Sequence, residues 1–418
     1  MEAGIKIFIN NFPKPVREIV PIAKEGNDSR VSSKYKGPRR LLGFEMGGNV
    51  NELYYNAMSK FFISFLLYDE IILRDADFIE IIKRIGVEDG IALLRSNKLK
   101  LVYDKVDIAM EFVNSTGSIL KLSNELISIP ALNYIDINFK EFSNKKSLRP
   151  QIIQCIDNAL LDEVQSIKTN DDIDIHGEAY DELVKELNSP DVSSAFLSGI
   201  ESIDEMSPYQ STKALRLLNT LKGFSFQSRC NAEIILQDSF SRSYLDKKLS
   251  FLQSSKAIDK IELFSEVTNL KGIPDIYHLV KSGVLKVQNI IEISETYEAN
   301  LFRNWFAKGG ISREDVYFKL MRYSKESNFS KSMRWLYPNI AGLVNTVLGV
   351  AASGVDSFIV DKILKGWSPN IFLDDFLKSN LDKLIEKNDR LNKRNELITC
   401  FGSIKTKCSL PLSKWEEI

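Results

Sequence analysis

The residues best suited to metal chemistry lie in one acidic stretch, residues 157–191, which holds eleven acidic and two basic side chains. Four potential ligands occur there at every second position: Asp172, Asp174, His176 and Glu178. Imidazole and carboxylate groups are ligands that a transition metal accepts. A calcium loop is excluded, because Leu183 stands at the twelfth position, where a bidentate carboxylate is required. The competing and favoured interpretation is a solvated acidic segment that leads into a helix.

A second set of carboxylates could support a metal-dependent nuclease, which needs acidic groups around a divalent ion. Four of them bracket one short apolar run: Asp69, Glu70, Asp75 and Asp77. A weaker candidate is the sequence Asp246-Lys247-Lys248 with Asp238 upstream. The pattern of apolar residues from Ile234 to Leu252 predicts a helix there, which disfavours the second set.

The third candidate is a basic arm. Residues 13–40 hold eight basic and three acidic side chains, and four prolines occur within residues 1–40. The arm could bind nucleic-acid phosphates through four of its basic residues: Lys34, Lys36, Arg39 and Arg40. A solvated loop that pairs with acidic residues of its own chain is the favoured alternative.

The fourth candidate is a segment without charge, residues 335–355. Small residues recur along it at spacings of three and four: Gly342, Thr346, Gly349 and Ser353. Such a seam allows helices to approach closely, as in membrane helix pairs. Its apolar stripe continues past Asp356, so a buried helix that mediates an interaction is favoured over a membrane segment.

Other chemistries are disfavoured by what the sequence lacks. It has no glycine-rich phosphate loop of the P-loop or dinucleotide type and no G-x-S-x-G nucleophile motif. The two histidines and four scattered cysteines suggest no catalytic pair, metal framework or disulfide framework. The first residues do not resemble a secretory signal. We therefore expect a cytoplasmic protein that uses no cofactor.

The elements that position these residues follow from periodicity. The spacing of apolar residues predicts a helix over 51–68, a buried strand over 69–73, a helix from Asp75 that stops at Gly86, and a strand over 98–103. Asp75 is expected to cap its helix. Prolines predict that residues 1–40 are extended or looped. Because this arm has few apolar residues to bury, we expect that deleting residues 1–38 leaves the fold intact.

The sequence thus predicts a predominantly helical protein with three parts: the basic arm at residues 1–40, an α+β domain at 41–145 and a larger all-helical domain at 146–418. The leading functional hypothesis is an intracellular interaction or effector protein, of a bacterial stress or defence type, without a conventional active site. It would bind a protein partner or a second copy of itself. The alternatives are a metal-dependent enzyme that acts on nucleic acid and a membrane-acting effector that uses residues 335–355.

Overall fold

The computed structural model describes residues 5–19, 39–44, 49–102, 104, 108–113, 117–122, 139, 141–161, 171–188, 208–238, 240–241, 243–244, 261, 264–265, 267–269, 271–307 and 371–408. These residues are mostly helical, as the sequence predicts, and they include a small four-stranded parallel sheet. The strands described are β1 (Lys6–Asn10), β2 (Pro15–Ile19), β3 (Arg39–Phe44), β4 (Glu70–Arg74), β5 (Leu99–Val102), β6 (Ile108–Val113), β7 (Gly117–Leu122) and β8 (Ile234–Gln237).

The helices described are α1 (Val50–Leu67), α2 (Asp75–Ile85), α3 (Val87–Arg95), α4 (Glu141–Asn144), α5 (Leu148–Ala159), α6 (Asp171–Leu187), α7 (Pro208–Arg229), α8 (Ile276–Lys281), α9 (Val287–Ser294), α10 (Tyr297–Ala307) and α11 (Ser379–Cys408). A π-helix, Ile371–Lys378, runs directly into α11. The chain divides into two compact units, Met1–Phe264 and Ser265–Ile418, which we call unit 1 and unit 2.

The centre of unit 1 is a parallel sheet, sheet A, with strand order β5-β4-β1-β8. Its register places Phe8 of β1 beside Ile72 of β4 and Ile235 of β8. Three consecutive residues of β1, Ile7, Phe8 and Ile9, have no exposed surface. Successive residues of a strand point to opposite faces, so both faces of sheet A are covered.

Helices cover sheet A through aromatic and aliphatic side chains. The ring of Phe226 on α7 stacks on Phe8, with the ring centroids 6.0 Å apart. Phe61 and Phe65 of α1 are fully buried, and the helix begins where the side chain of Asn49 accepts a hydrogen bond from the amide of Asn51. A second sheet, of order β3-β2-β6-β7, is formed by two antiparallel pairs joined through a parallel contact between β2 and β6.

Unit 2 is held together by an aromatic core. The rings of Phe302 on α10 and Phe372 on the π-helix stack with centroids 4.7 Å apart. The buried ammonium group of Lys271 binds both carboxylate oxygens of Asp374, at 2.9 and 2.6 Å. Asp275 caps α8 by accepting a hydrogen bond from the amide of His278.

Local expectations in unit 1 are largely confirmed. The first helix, the strand at 70–74, the helix that stops at Gly86 and the strand at 99–102 are all present. Gly86 has a φ of 93°, a backbone conformation that glycine adopts without strain. The capping role predicted for Asp75 is wrong: Asp75 is the first helical residue, and its carboxylate accepts a hydrogen bond from the amide of Asp104.

The strands of sheet A contradict two further predictions from the sequence. Residues 1–40 are not wholly an arm outside the core, because Lys6–Asn10 form an inner strand of the sheet. The helix predicted around Ile234 is also wrong, because Ile234–Gln237 form β8 and pair with β1. A strand therefore lies inside the segment predicted to be all-helical, and the boundary predicted near residue 145 falls within unit 1.

Candidate ligand site at the carboxyl edge of the parallel sheet

The carboxyl ends of all four strands of sheet A lie at one edge. On one side of β1 lie β4 and then β5, whereas β8 lies on the other side. Along the chain, β4 and β5 are therefore added on one side of β1, and β8 is then added on the other. The direction of the strand order reverses between β1 and β8. In open sheets built from parallel strands and helices, ligands bind outside the carboxyl ends at such a reversal point.

Polar side chains, most of them buried, occupy this edge. We call them the carboxyl-edge cluster: Asn10, Asn11, Lys14, Arg74, Asp75, Asp77, Asp104, Lys222 and Gln237. Three are basic and three are acidic, so their charges balance when every carboxyl group is ionised. The register of the strands sets Gln237 beside Asn10, and Asn10 is bound in turn by Arg74 of β4.

Arg74, which is 2% exposed, links three strands of the sheet. Its guanidinium group donates to Asp77 at 3.4 Å and to Asp104 at 3.2 Å, and a further nitrogen donates to the side-chain oxygen of Asn10. Asp77 also forms an ion pair with Lys14, which follows β1. The guanidinium thus fixes the side chains that follow β4 and β5 against the end of β1.

Helix α7 contributes a second buried cation. The ammonium group of Lys222 binds both carboxylate oxygens of Asp104, at 3.0 and 3.1 Å. The next residue, Gly223, allows the helix to approach the sheet. A Cβ atom at this position would lie 2.3 Å from the amide nitrogen of Asn10. That nitrogen donates instead to the carbonyl oxygen of Asn219, at 3.3 Å.

Asp75 is the cluster's titratable group near neutral pH. It is fully buried, and this burial raises the pKa of its carboxyl group to about 7, with a further upward contribution from the charge of Asp104. Both protonation states are therefore populated at neutral pH. A group with such a pKa is suited to accept and donate protons.

Several polar atoms of the cluster have no hydrogen-bond partner among the residues that the structure describes. They are the side-chain oxygen of Asn11, one carboxylate oxygen of Asp75, and both the nitrogen and the oxygen of the Gln237 amide. All three residues are less than a tenth exposed. Nearly all buried polar groups in proteins are paired with protein or with ordered water, so these three side chains are candidates for contact with a bound molecule.

Asp238 lies at the same edge, but both of its carboxylate oxygens already accept hydrogen bonds. Its carboxylate accepts hydrogen bonds from Arg216 at 2.6 Å, from the Ser241 hydroxyl at 2.8 Å and from the amide of Phe240 at 2.8 Å. These contacts hold the turn that follows β8. Asp246, Lys247 and Lys248, which were grouped with Asp238 in the sequence, lie outside the described residues.

The structure places the four carboxylates that flank β4 at two different edges of sheet A. Asp75 and Asp77 lie in the carboxyl-edge cluster, where Asp104 joins them. Asp69 and Glu70 lie at the opposite edge: Asp69 accepts a hydrogen bond from the amide of Ile5, and Glu70 pairs with Lys6. Within the part of the chain that the structure describes, no three metal-ligating side chains are close enough to hold an ion.

The other sequence candidates are less informative. Helix α6 carries Asp172, Asp174, His176 and Glu178, and Glu178 lies 3.8 Å from Arg229. Residues two positions apart do not face each other on a helix, so this backbone does not bring all four to one side. The metal site there stays a prediction.

Of the remaining candidate residues, the structure describes only some. Arg39 and Arg40 lie on β3, with Arg40 opposite Glu18. Lys34, Lys36, and the seam of Gly342, Thr346, Gly349 and Ser353 lie outside the described residues. No helix among the described residues is long and apolar enough to cross a bilayer.

Sequence reasoning singled out only Asp75 and Asp77 for a site. It missed the other seven residues of the cluster: Asn10, Asn11, Lys14, Arg74, Asp104, Lys222 and Gln237. Asn10 and Asn11 do carry a signal, since two amides follow the apolar run Ile7–Ile9. Gln237 follows a similar run that ends at Leu236. Polar residues directly after buried parallel strands are where such sheets place their sites. Lys222 lies within a helix and has no comparable signal.

The chain matches no described protein family, no curated protein and no solved structure.

Proposed function

We propose that unit 1 binds a small polar molecule at the carboxyl edge of sheet A, where β1 and β8 adjoin. The observation that carries this proposal is the amide of Gln237, which is buried at the point of strand reversal. Neither its donor nor its acceptor has a partner within the described ranges of the chain. Leaving such a group unpaired costs about 1–3 kcal/mol, and a bound ligand that pairs with it recovers that cost.

Asp75 is the group that exchanges a proton with this ligand. One of its oxygens is fixed by the amide of Asp104 at 3.3 Å, and the other is unpaired. A carboxyl group of raised pKa that keeps one oxygen available is typical of a general acid or base.

The contacts of the carboxylates favour this function over the metal-dependent nuclease. Asp77 and Asp104 are already bound by Lys14, Arg74 and Lys222. A divalent ion would have to displace these buried cations, and that would leave them unpaired at high cost.

A thermal-shift screen of small polar metabolites tests the proposal. A ligand present at about 100 times its Kd stabilises the folded state by about 2.7 kcal/mol. We expect at least one compound to raise the Tm of the natural chain and to leave that of Gln237→Met unchanged. Equal responses from both proteins to every compound would contradict the proposal.

A second candidate function, self-association through α11, is supported by exposed apolar residues. Leu391 is 46% exposed and Ile398 is 56% exposed. Leu384, Leu391 and Ile398 follow one another at intervals of seven residues. Asn388 lies between the first two, and Asn395 lies between the last two. The pattern places apolar residues at successive d positions of a heptad and asparagine at two a positions, where asparagine specifies register and oligomer state at a cost in stability.

In this candidate, unit 2 joins two copies of the chain and unit 1 carries the ligand site. Sedimentation equilibrium of the full chain tests it. We expect a dimer that Leu391→Glu and Ile398→Glu each convert to monomer, whereas Lys393→Glu, on the opposite side of the heptad, leaves it intact. A natural chain that is monomeric at all concentrations measured would contradict the candidate.

A further inference from the structure

Helix α11 is covered at its start and exposed further along the same side. Leu381 is 1% exposed, whereas Leu391 is 46% exposed and Ile398 is 56% exposed. With Leu384 they follow the a and d positions of a heptad, so they lie on one side of the helix. Every side chain from residue 389 to residue 396 is also exposed. Helices in proteins gain most of their stability from packing, so we expect a partner to cover this part of α11.

The a positions between these apolar residues are occupied by Asn388 and Asn395. In a parallel helix pair in register, each a residue faces the same residue of the other copy. The two amides of such a layer can therefore donate to and accept from each other. In an antiparallel pair the a positions face d positions, which here are leucine and isoleucine. Each asparagine amide would then be covered by an apolar side chain without a hydrogen-bond partner, which is costly.

The charged residues that flank the stripe favour the same orientation. The g positions carry Lys387 and Arg394, both exposed, and the e position between them carries the neutral Asn392. An antiparallel pair sets g positions against g positions and would bring the basic side chains of the two copies together. A parallel pair sets Lys387 against Asn392 of the other copy and avoids this repulsion. Residues at e and g set the orientation of paired helices in this way.

We infer, on the basis of the second candidate function, that α11 pairs with α11 of a second copy in parallel and in register along residues 388–398. The two-fold axis of the pair runs along the helices, so each a and d residue meets its own counterpart. Leu391 and Ile398 form apolar layers, and the two asparagines form hydrogen-bonded layers. Self-association alone would allow either orientation, whereas the asparagines and the basic g positions select the parallel one.

Disulfide trapping on the full chain tests the inference. A single cysteine is introduced into the natural chain at an a position, as Asn388→Cys or Asn395→Cys. The control is Lys393→Cys, at the f position on the opposite side of the heptad. All three positions are at least partly exposed, so these substitutions should leave the fold intact. A disulfide that joins a residue to the same residue is necessarily intermolecular, and mass spectrometry of the digested protein distinguishes it from any disulfide of the natural cysteines.

Both a-position variants should form the same-residue disulfide at least about ten-fold faster than Lys393→Cys, because pairing raises the effective concentration of thiols that face each other. In an antiparallel pair, only residues at the centre of the overlap meet their own counterparts. Positions 388 and 395 are about 10 Å apart along the helix, so at most one of them could lie at that centre.

Sedimentation equilibrium of the natural chain separates the two ways in which the inference can fail. If the natural chain is a dimer, but only one a position or neither reacts faster than the control, the parallel alignment is wrong and self-association still stands. If the natural chain is a monomer and all three variants react equally slowly, both the alignment and self-association through α11 are wrong.

Discussion

Replacing Gln237 by methionine should stabilise the protein without ligand. Methionine has nearly the volume and length of glutamine and carries no group that needs a hydrogen bond. Gln237 is 1% exposed, and both of its amide atoms are unpaired. Removing an unsatisfied buried polar group recovers a desolvation cost of about 1–3 kcal/mol. Unit 1 should therefore melt about 2–12 °C higher, at about 2–4 °C for each kcal/mol in a domain of this size.

The distribution of tryptophan allows the effect to be assigned to unit 1. All four tryptophans, Trp305, Trp335, Trp367 and Trp415, fall within the range of unit 2. Selective excitation of tryptophan therefore follows the unfolding of unit 2. Far-UV circular dichroism follows both units. The substitution should shift the transition seen by circular dichroism and leave the tryptophan transition in place.

Two other glutamines provide matched controls for the same substitution. The side chain of Gln227 donates to the carbonyl oxygen of Ala232 at 3.1 Å, so Gln227→Met should destabilise unit 1 by about 1 kcal/mol. Gln288 is exposed, and Gln288→Met should change stability by less than about 0.5 kcal/mol. A destabilised Gln237→Met would refute the reasoning, because it would show that the amide is already paired in the absence of ligand.

Three further predictions concern the same cluster. Because the folded pKa of Asp75 is about 7 and lies above its unfolded value, the unfolded state loses its proton first. The stability of the natural chain should thus fall between about pH 4 and pH 7, by up to about 4 kcal/mol, and urea titrations should show no such fall for Asp75→Asn. Lys222→Met should destabilise unit 1 by about 3–5 kcal/mol, with partial recovery when Asp104→Asn is added in a double-mutant cycle. Gly223→Ala should cost about 1–3 kcal/mol in chemical denaturation despite alanine's better helix propensity, because its Cβ would displace Asn10; a stabilised variant would show that Asn10 moves freely.

Local structure was predictable where a periodic pattern extends over many residues. Helix α1 carries apolar residues at helical spacing over five turns, and its observed bounds differ by one residue at each end from those expected. The stop at Gly86 and the strand at 70–74 follow from equally local signals. These elements need no information about distant parts of the chain.

The missed strands are short and depend on distant partners. Strand β8 contains the apolar run Ile234–Leu236, and a run this short does not distinguish a buried strand from a buried helix. Its start is joined to the start of β1 by a hydrogen bond between Lys6 and Glu233, which are 227 residues apart. Because the residues after β1 are basic and rich in proline, composition predicts an arm that includes β1. Truncation of residues 1–38 therefore removes an inner strand, contrary to the expectation from composition.

The candidate site was predictable only in part for the same reason. Asp75 and Asp77 flank one strand and could be recognised as a pair of carboxylates. Their partners come from elsewhere: Lys222 reaches Asp104 across 118 residues of sequence. The basic partners also change the chemistry, because they bind the carboxylates that a metal ion would need.

The two edges of sheet A differ in how deeply their charged side chains are buried. At the amino edge, Lys6 and Glu70 are partly exposed and pair with each other at 3.2 Å. At the carboxyl edge, Arg74, Asp75 and Lys222 are buried. Buried atoms without a hydrogen-bond partner among the described residues occur at both edges, on Tyr68 and Glu70 at the amino edge and on Asn11, Asp75 and Gln237 at the carboxyl edge. If the fold alone determined these side chains, burial would favour apolar residues at the second edge, as in the row formed by Phe8, Ile72 and Ile235. Protein sites that keep such a cost usually do so for function, and this supports a ligand at the carboxyl edge.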